Sequence, residues 1–232
     1  MRRTSDRHNA VTRAKSPGKD SHMNQLHRRS WLAGVALALT AFTLPASAAE
    51  APDAMVKRLS TEVLELIKAD PAIKAGNIDR IMAVVDEKIM PNVNFTRMTS
   101  SAVGRHWRQA TPEQQQRLQA EFKAMLVRTY SGALSEVRDQ TLSFKPLRMQ
   151  PTDTEVVVRS EVRGRGEPIQ LDYRMEKSND SWKIYDLNVL GLWLVETYRT
   201  QFAQEINAKG IDGLIDSLAQ RNKSGGGTAK TN

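Results

Sequence analysis

After position 50, apolar residues recur every three or four positions, which is the spacing of amphipathic helices. The pattern predicts three helices, over 53–69, 77–89 and 95–103. A proline or glycine follows each predicted end within two residues, and neither residue type readily continues a helix. The first half of the folded region is therefore predicted to be helical.

A fourth, longer helix is predicted to begin at Thr111. Thr111 can cap the helix, Pro112 suits the first helical position, and Gln114 completes a capping box. The helix carries a nearly unbroken apolar stripe, which must face another apolar surface. The stripe consists of Leu118, Phe122, Met125, Leu126, Thr129, Tyr130, Ala133 and Val137.

From Gln140 onward, apolar and polar residues alternate, as they do in strands with one buried face. The alternation predicts strands near 142–144, 155–163, 169–176 and 182–185. Short turns separate the last three, including Gly164-Arg165-Gly166. Consecutive strands with short turns form an antiparallel meander that has one apolar and one polar face.

Helical spacing returns after Gly191, with Leu192, Val195 and Tyr198 on one face. Gly210 is predicted to end this helix, and a short helix follows over 213–218. The order of helices, meander and helix predicts an α+β fold in which helices cover one face of a curved sheet.

The first 48 residues have the features of an export leader. Met23, the expected true start, opens a basic segment; residues 31–44 are apolar, and Ala46-Ser47-Ala48 is a cleavage signal. The apolar stretch is shorter than the roughly 20 residues of a spanning helix, which favours a cleaved signal over a retained anchor. Arg28-Arg29 also fits a twin-arginine signal, although the Sec route is favoured because paired arginines are common in ordinary signals.

Cleavage behind Ala48 defines the predicted organisation of the chain. Residues 1–48 form the leader, residues 49–222 form one domain, and the polar, glycine-rich residues 223–232 form a disordered tail. The leader carries eight Lys/Arg and two Asp/Glu, which is +6 of the net charge of +8. The remaining +2 is interleaved along the domain, so the basic composition is no sign of nucleic acid binding.

The residues available for catalysis are few. The chain has no cysteine, which excludes disulfides, thiolate metal sites and cysteine nucleophiles. Three of its four histidines, His8, His22 and His27, lie in the leader, which leaves only His106. A catalytic triad would have to use His106, and the chain lacks the Gly-x-Ser-x-Gly elbow. We therefore expect no enzyme, no metal site and no cofactor.

The apolar faces leave two interpretations open. They can pack into a filled core, or they can enclose a space that holds hydrocarbon. Periodicity cannot separate the two, because a cavity lining and a core show the same pattern.

Several short motifs, taken in order, resemble the MlaC family of periplasmic phospholipid-binding proteins (the toluene-tolerance auxiliary family). The resemblance covers about residues 52–220. The motifs are VNFTRM at 93–98, GRHWRQATPEQ at 104–114, LVRTY at 126–130, VVVRSEV at 156–162, DYR at 172–174, WKIYD at 182–186, Gly191, YR at 198–199 and Phe202.

The resemblance implies a twisted antiparallel sheet of the NTF2-like kind, with helices that cover one face and enclose an apolar pocket. It implies a monomeric periplasmic carrier whose only bound molecule is a phospholipid cargo. Such a carrier shuttles lipid between an inner-membrane ABC transporter complex and an outer-membrane lipoprotein–porin complex, which maintains outer-membrane lipid asymmetry. No catalytic residues belong to the family.

Placing the pocket on this chain gives a set of candidate residues from the apolar faces that should converge. The candidate lining is Phe122, Leu126, Tyr130, Leu171, Tyr173, Val189, Leu192, Val195 and Tyr198. Arg97 and Arg105, which stand in the matching motifs, are candidates for the pocket mouth. For each lining residue the alternative is an ordinary core position. For the whole chain the alternatives are a protein-binding periplasmic adaptor with a filled NTF2-like core, and an enzyme that uses His106.

Overall fold

The computed structural model describes residues 50–179 and 181–225. The predicted leader over 1–48 and most of the predicted tail over 223–232 lie outside the described residues. The helices are α1 (Pro52–Ala69), α2 (Pro71–Lys74), α3 (Ile78–Val84), α4 (Phe95–Val103), α5 (Pro112–Ser135) and α6 (Leu194–Lys223). The strands are β1 (Thr141–Phe144), β2 (Glu155–Arg163), β3 (Ile169–Ser178), β4 (Ser181–Val189) and β5 (Leu192–Trp193).

The helix boundaries follow local sequence signals. The predicted capping box is confirmed: the Gln114 N–H donates to Thr111 Oγ1 at 3.2 Å, and the Thr111 N–H donates to Gln114 Oε1 at 3.0 Å. The predicted helix over 77–89 begins as α3 and continues through one π-helical turn, Val85–Ile89. A 3₁₀ turn, Met90–Asn92, and a longer one, Gly104–Gln109, flank α4.

The strands form one sheet in the order β1-β2-β3-β4-β5, with every named pair antiparallel. The predicted meander and the α+β class are confirmed, and the sheet is compatible with the NTF2-like description. One assignment was wrong: Leu192 belongs to β5 and not to the following helix. Leu190 and Gly191 both have positive φ angles, which turns the chain back so that Leu192 pairs with Val189.

Residues paired across the strands share a face of the sheet, so the register defines an inner face that meets the helices. Its deepest rows are Val156–Met175–Ile184 and Val158–Tyr173–Leu187. Met55, Val56 and Leu59 of α1 pack on these rows. A second cluster joins α4, α5 and α6, and a third joins α1, α2, α3 and α5.

A β-bulge opposite Arg174 changes the alternation along β4. Arg174 pairs with Asp186, whereas Met175 pairs with Ile184, so Tyr185 is the extra residue. Because of this shift, Ile184 and Leu187 both face the helices, although they are separated by an odd number of positions. Asp186 is thereby turned to the outer face.

Gly210 divides α6 into two helical segments, as predicted, because its φ of 73° and ψ of −177° are not helical. This region of backbone conformation is essentially restricted to glycine. Gly132 offers a contrast, since it lies within α5 and a Cβ added there would contact nothing within 4 Å.

Substitution of these two glycines should shift stability in opposite directions. Gly210→Ala should lower the free energy of unfolding by about 1–3 kcal/mol, because alanine is strained at that φ. Gly132→Ala should raise it by about 0.5–1 kcal/mol, because alanine favours the helix. Urea denaturation followed by circular dichroism measures both changes. A loss of stability in Gly132→Ala, or none in Gly210→Ala, would contradict this account of α6.

Candidate functional site

The inner face of the sheet is buried at one end and open at the other. Val156, Met175 and Ile184 are buried beneath α1. Toward the β2–β3 turn, Leu171 and its partner Val189 are only half-buried. At the edge, Ile169 is 42% exposed and Leu192 is 64% exposed. The face stays largely apolar along its length, with Ser160 as a buried polar residue beside Leu171, while the cover of helices ends.

The helices supply the opposite wall. Phe122 of α5 is fully buried and meets Tyr198 of α6 edge-on, with 5.1 Å between ring centroids. Leu126 and Tyr130 of α5 are half-buried and pack on the same cluster, which also includes Val195. Leu187 and Val189 of β4 pack against this cluster as well. The structure thus brings α5, α6 and β4 together.

The predicted lining residues therefore fall into two adjoining groups and one outlier. Six of them meet in the α4–α6 cluster: Phe122, Leu126, Tyr130, Val189, Val195 and Tyr198. Leu171 and Tyr173 belong to the α1–sheet cluster. Leu192 lies at the exposed edge beside Val189.

Leu187 was missed by sequence reasoning and packs against both clusters. A strict two-residue alternation continued from Trp182 and Ile184 places Leu187 on the outer face. The bulge at Tyr185 reverses that phase. Nothing in the alternation itself signals the bulge, so only the strand register reveals Leu187.

The hydroxyl groups of the site are neutral. Burial raises the pKa of Tyr198 to about 12, and neighbouring Tyr130 adds to the shift. Burial also raises the pKa of Tyr173, whose hydroxyl lies 3.1 Å from Ser60 Oγ on α1. Uncharged hydroxyls beside aromatic and aliphatic side chains suit an apolar occupant.

Asp186 ties the beginning of α6 to the outer face of the sheet. Its Oδ1 accepts the backbone N–H groups of Leu187 at 2.9 Å and Val195 at 3.0 Å. Its Oδ2 accepts from Arg174 Nη1 at 2.9 Å, and Arg174 also reaches Glu196 at 3.1 Å. The Arg174 guanidinium lies 3.9 Å from the centre of the Trp193 ring. These contacts set the position of Val195 and Tyr198 over the inner face.

Of the two arginines predicted at the pocket mouth, Arg97 lies far from the open end of the sheet and Arg105 is exposed on a turn. Arg97 forms ion pairs with Glu176 and, at 2.6 Å, with Glu155, and it lies 3.6 Å over the Tyr185 ring. Glu155 is seven strand residues, roughly 23 Å, from Val162 at the open end, so Arg97 lies far from that end. Its ion pairs dock α4 on the sheet. Arg105 is exposed on a 3₁₀ turn, with Nε 3.5 Å from His106 Nε2.

Other features of the described residues concern metal binding, a groove beside β2 and insertion into a membrane. Within 50–179 and 181–225, no group of three or more His, Asp or Glu could hold a metal ion. A groove of about 290 Å³ lies beside β2, lined by Pro146, Leu147, Arg148, Val157 and Arg159. It includes none of the predicted lining residues. Every helix in the same part of the chain is too short or too polar to cross a bilayer.

Comparison with known proteins identifies the family of this chain. The family model described as MlaC protein matches residues 57–220. The chain belongs to the MlaC family. The motif resemblance noted in the sequence is thereby confirmed.

Individual relatives of this MlaC-family chain carry matching names. It is 28% identical over 189 residues to toluene tolerance protein ttg2D of Pseudomonas putida, covering 80% of this chain and 88% of that protein. It is 23% identical over 204 residues to the intermembrane phospholipid transport system binding protein MlaC of Haemophilus influenzae, covering 85% and 95%. A solved phospholipid-binding protein of Ralstonia solanacearum, in complex with a phospholipid, is 51% identical with a TM-score of 0.72, covering 74% of this chain and 97% of that one.

Removal of the Asp186 side chain should be strongly destabilising in this MlaC-family fold. Asp186→Ala leaves the buried Val195 N–H without its acceptor and removes one of the two carboxylates that pair with Arg174, which should lower the free energy of unfolding by about 1–3 kcal/mol. Urea denaturation provides the measurement. Glu196→Ala is the control, because it removes the exposed partner of the same arginine and should lower stability by less than about 1 kcal/mol. Equal losses in the two variants would contradict the anchoring role of Asp186.

Proposed function

We propose that this chain is a periplasmic phospholipid carrier of the intermembrane transport system to which its relatives belong. The observation that carries the proposal is a largely apolar sheet face that runs from a buried core to an open edge. The phospholipid bound by the 51% identical Ralstonia protein supports it. The carrier has no catalytic role, and its only bound molecule is the cargo.

The acyl chains lie between the inner face and the helices. The proposed lining is the predicted set with Leu187 added, and the tails enter from the open edge next to Leu171 and Val189. Each methylene withdrawn from water contributes about 0.8 kcal/mol, so two long tails strongly favour the pocket over solution. A bilayer offers the tails nearly the same environment. Exchange with a membrane is therefore close to neutral in free energy.

The headgroup stays outside, at the end of the sheet beside the β2–β3 turn. A phosphate left in water avoids the large free-energy cost of burying a charge. Because the headgroup is not enclosed, the carrier tolerates different headgroups and selects mainly on its tails. Arg97 has no part in this mouth, because its ion pairs hold it at the opposite end of β2 and β3.

The route of transport follows from the family name and the leader. The chain is exported by its cleaved N-terminal signal and exchanges lipid with an inner-membrane ABC transporter complex and an outer-membrane lipoprotein–porin complex. Its contribution is to maintain the lipid asymmetry of the outer membrane. The name of the Haemophilus relative, an intermembrane phospholipid transport protein, supports this assignment.

A protein-binding adaptor with a filled core is the second candidate. It is favoured by the burial of several proposed lining residues: Phe122 has no exposed surface, and Tyr173, Val195 and Tyr198 are nearly buried. In a filled core these side chains pack on each other with no room for tails. The half-buried Leu171 and Val189 favour the carrier.

Native mass spectrometry of the protein purified after export, followed by solvent extraction, distinguishes the two functions. We expect a bound phospholipid at about one per chain, because the tails partition strongly into the pocket. Protein that stays at its bare mass after incubation with phospholipid vesicles, while folded by circular dichroism, would favour the adaptor.

A charge on the inner face should abolish lipid retention. Leu171→Glu places a carboxylate where the tails lie, and we expect at least about tenfold less extracted lipid per folded chain, since desolvating a charge is costly. Val157→Glu is the control: it puts the same charge on the outer face of the sheet, beside Arg148 and Arg159.

Leu171→Trp tests the same position without a charge, in case the Glu variant does not fold. The larger ring reduces the space, so the retained lipid should shift to shorter tails. Unchanged lipid content and tail length in both Leu171 variants would remove Leu171 from the lining.

A further inference from the structure

Large apolar side chains are exposed at one edge of the sheet. Among the described residues, the exposed large hydrophobic side chains are Met149 (37%), Ile169 (42%), Leu190 (52%) and Leu192 (64%). Three of these four lie together at the end of the sheet where β3 begins and where the turn joins β4 to β5. We call Ile169, Leu190 and Leu192 the apolar rim.

The rim is held in place by specific backbone contacts. Leu190 has a φ of 55°, which is unusual for a bulky residue that is not glycine. Its N–H donates to the Gln170 carbonyl at 3.1 Å, and the Gly191 N–H donates to Oδ1 of buried Asn188 at 2.9 Å. A leucine held exposed in an unfavourable conformation indicates a surface with a function.

The rim continues directly into the inner face. Leu192 pairs with Val189, and Val189 pairs with Leu171 on the next strand. Adjacent strands are about 4.8 Å apart, so these side chains form an apolar path from the exposed edge to the interior. A hydrocarbon chain that enters at the rim does not need to cross water.

Two arginines flank the rim, each with an acidic neighbour. Arg163 ends β2 and Arg165 lies in the β2–β3 turn, where its side chain is 94% exposed. Arg163 pairs with Glu161 at 2.9 Å, and Arg165 Nε is 3.6 Å from Asp139. Glu167 is the one acidic residue of the stretch 163–168, which leaves it with a net charge of +1. An exposed arginine beside apolar side chains complements a surface of phosphate groups over hydrocarbon.

The small exposed area of the rim favours a lipid surface over a protein partner. A stable protein interface buries roughly 800 Å² on each side, far more than three partly exposed side chains provide. Reversible contact with a bilayer has no such minimum area, because its strength grows with each inserted apolar side chain and with the attraction of cations to anionic lipids.

We propose that the apolar rim, with Arg165, docks on the surface of an anionic phospholipid bilayer and opens the inner face directly onto the lipid. This inference rests on the proposed carrier function. It assigns the rim a role in collecting or delivering cargo at the membrane itself.

Flotation with vesicles tests the rim. Protein expressed with its leader and purified after export is mixed with phosphatidylethanolamine vesicles that contain a minority of phosphatidylglycerol. The variant Ile169→Ser with Leu190→Asn removes two rim side chains and keeps a residue that tolerates positive φ at position 190. We expect about tenfold weaker vesicle binding, with native circular dichroism and unchanged bound phospholipid per chain.

Met149→Ser is the matched control. Met149 is also exposed, but it lies in the β1–β2 connection, away from the rim. It should bind vesicles as the wild type does. Equal loss in the control and the rim variant would overturn the assignment of binding to the rim.

The charge is tested separately with Arg165→Gln. Binding to the anionic vesicles should fall several-fold at low salt, whereas the smaller binding to neutral phosphatidylcholine vesicles should not change. Raised salt should reduce the difference, because it screens exposed charges. Equal loss on both kinds of vesicle would overturn the contribution of Arg165.

The outcomes separate this inference from the proposed function. Wild-type protein that carries phospholipid but does not float with protein-free vesicles overturns bilayer docking and leaves the carrier function intact. Flotation only with vesicles that contain extracted envelope proteins overturns it in the same way and assigns the rim to a protein partner. Wild-type protein that never carries phospholipid overturns the carrier function itself.

Discussion

A single β-bulge opposite Arg174 sets which side chains of β4 face the helices. Without the extra residue Tyr185, Leu187 and Val189 would lie on the outer face and Asp186 would point into the apolar interior. With it, the apolar residues of β4 join both the α1–sheet cluster and the α4–α6 cluster. The same shift places Asp186 where it accepts the Val195 N–H. The position of α6, and so the shape of the interior, depends on this one change of register.

The cover that results is incomplete, and this defines the candidate site. Helix α1 closes the deep rows of the sheet, while α5 and α6 contribute Phe122 and Tyr198 to the opposite wall. Toward the β2–β3 turn the sheet extends beyond this cover, so Leu171 and Val189 are left half-buried. A protein that only needs stability gains by burying such a face. The uptake of lipid tails that we propose requires this face to remain accessible.

Charges are arranged outside this interior. Arg97 and Arg174 lie on the outer face, where they pair with acidic residues and stack on Tyr185 and Trp193. These contacts dock α4 and α6 on the sheet without bringing a charge to the inner face. The interior therefore contains only apolar groups and neutral hydroxyls, which suits the nearly balanced exchange of tails with a bilayer that we propose.

Local features of this protein were determined by the sequence alone. The capping box at Thr111, the alternation of β2 and β3 and the break at Gly210 each depend on near neighbours in the chain, so helices, meander and family could be predicted. The tertiary structure decided the bulge at Tyr185, the pairing of Leu192 in β5 and the position of Arg97 far from the open end of the sheet. It also decided which apolar residues remain half-buried. Periodicity identifies the apolar face of an element, but only the packing of other elements determines how much of that face is covered.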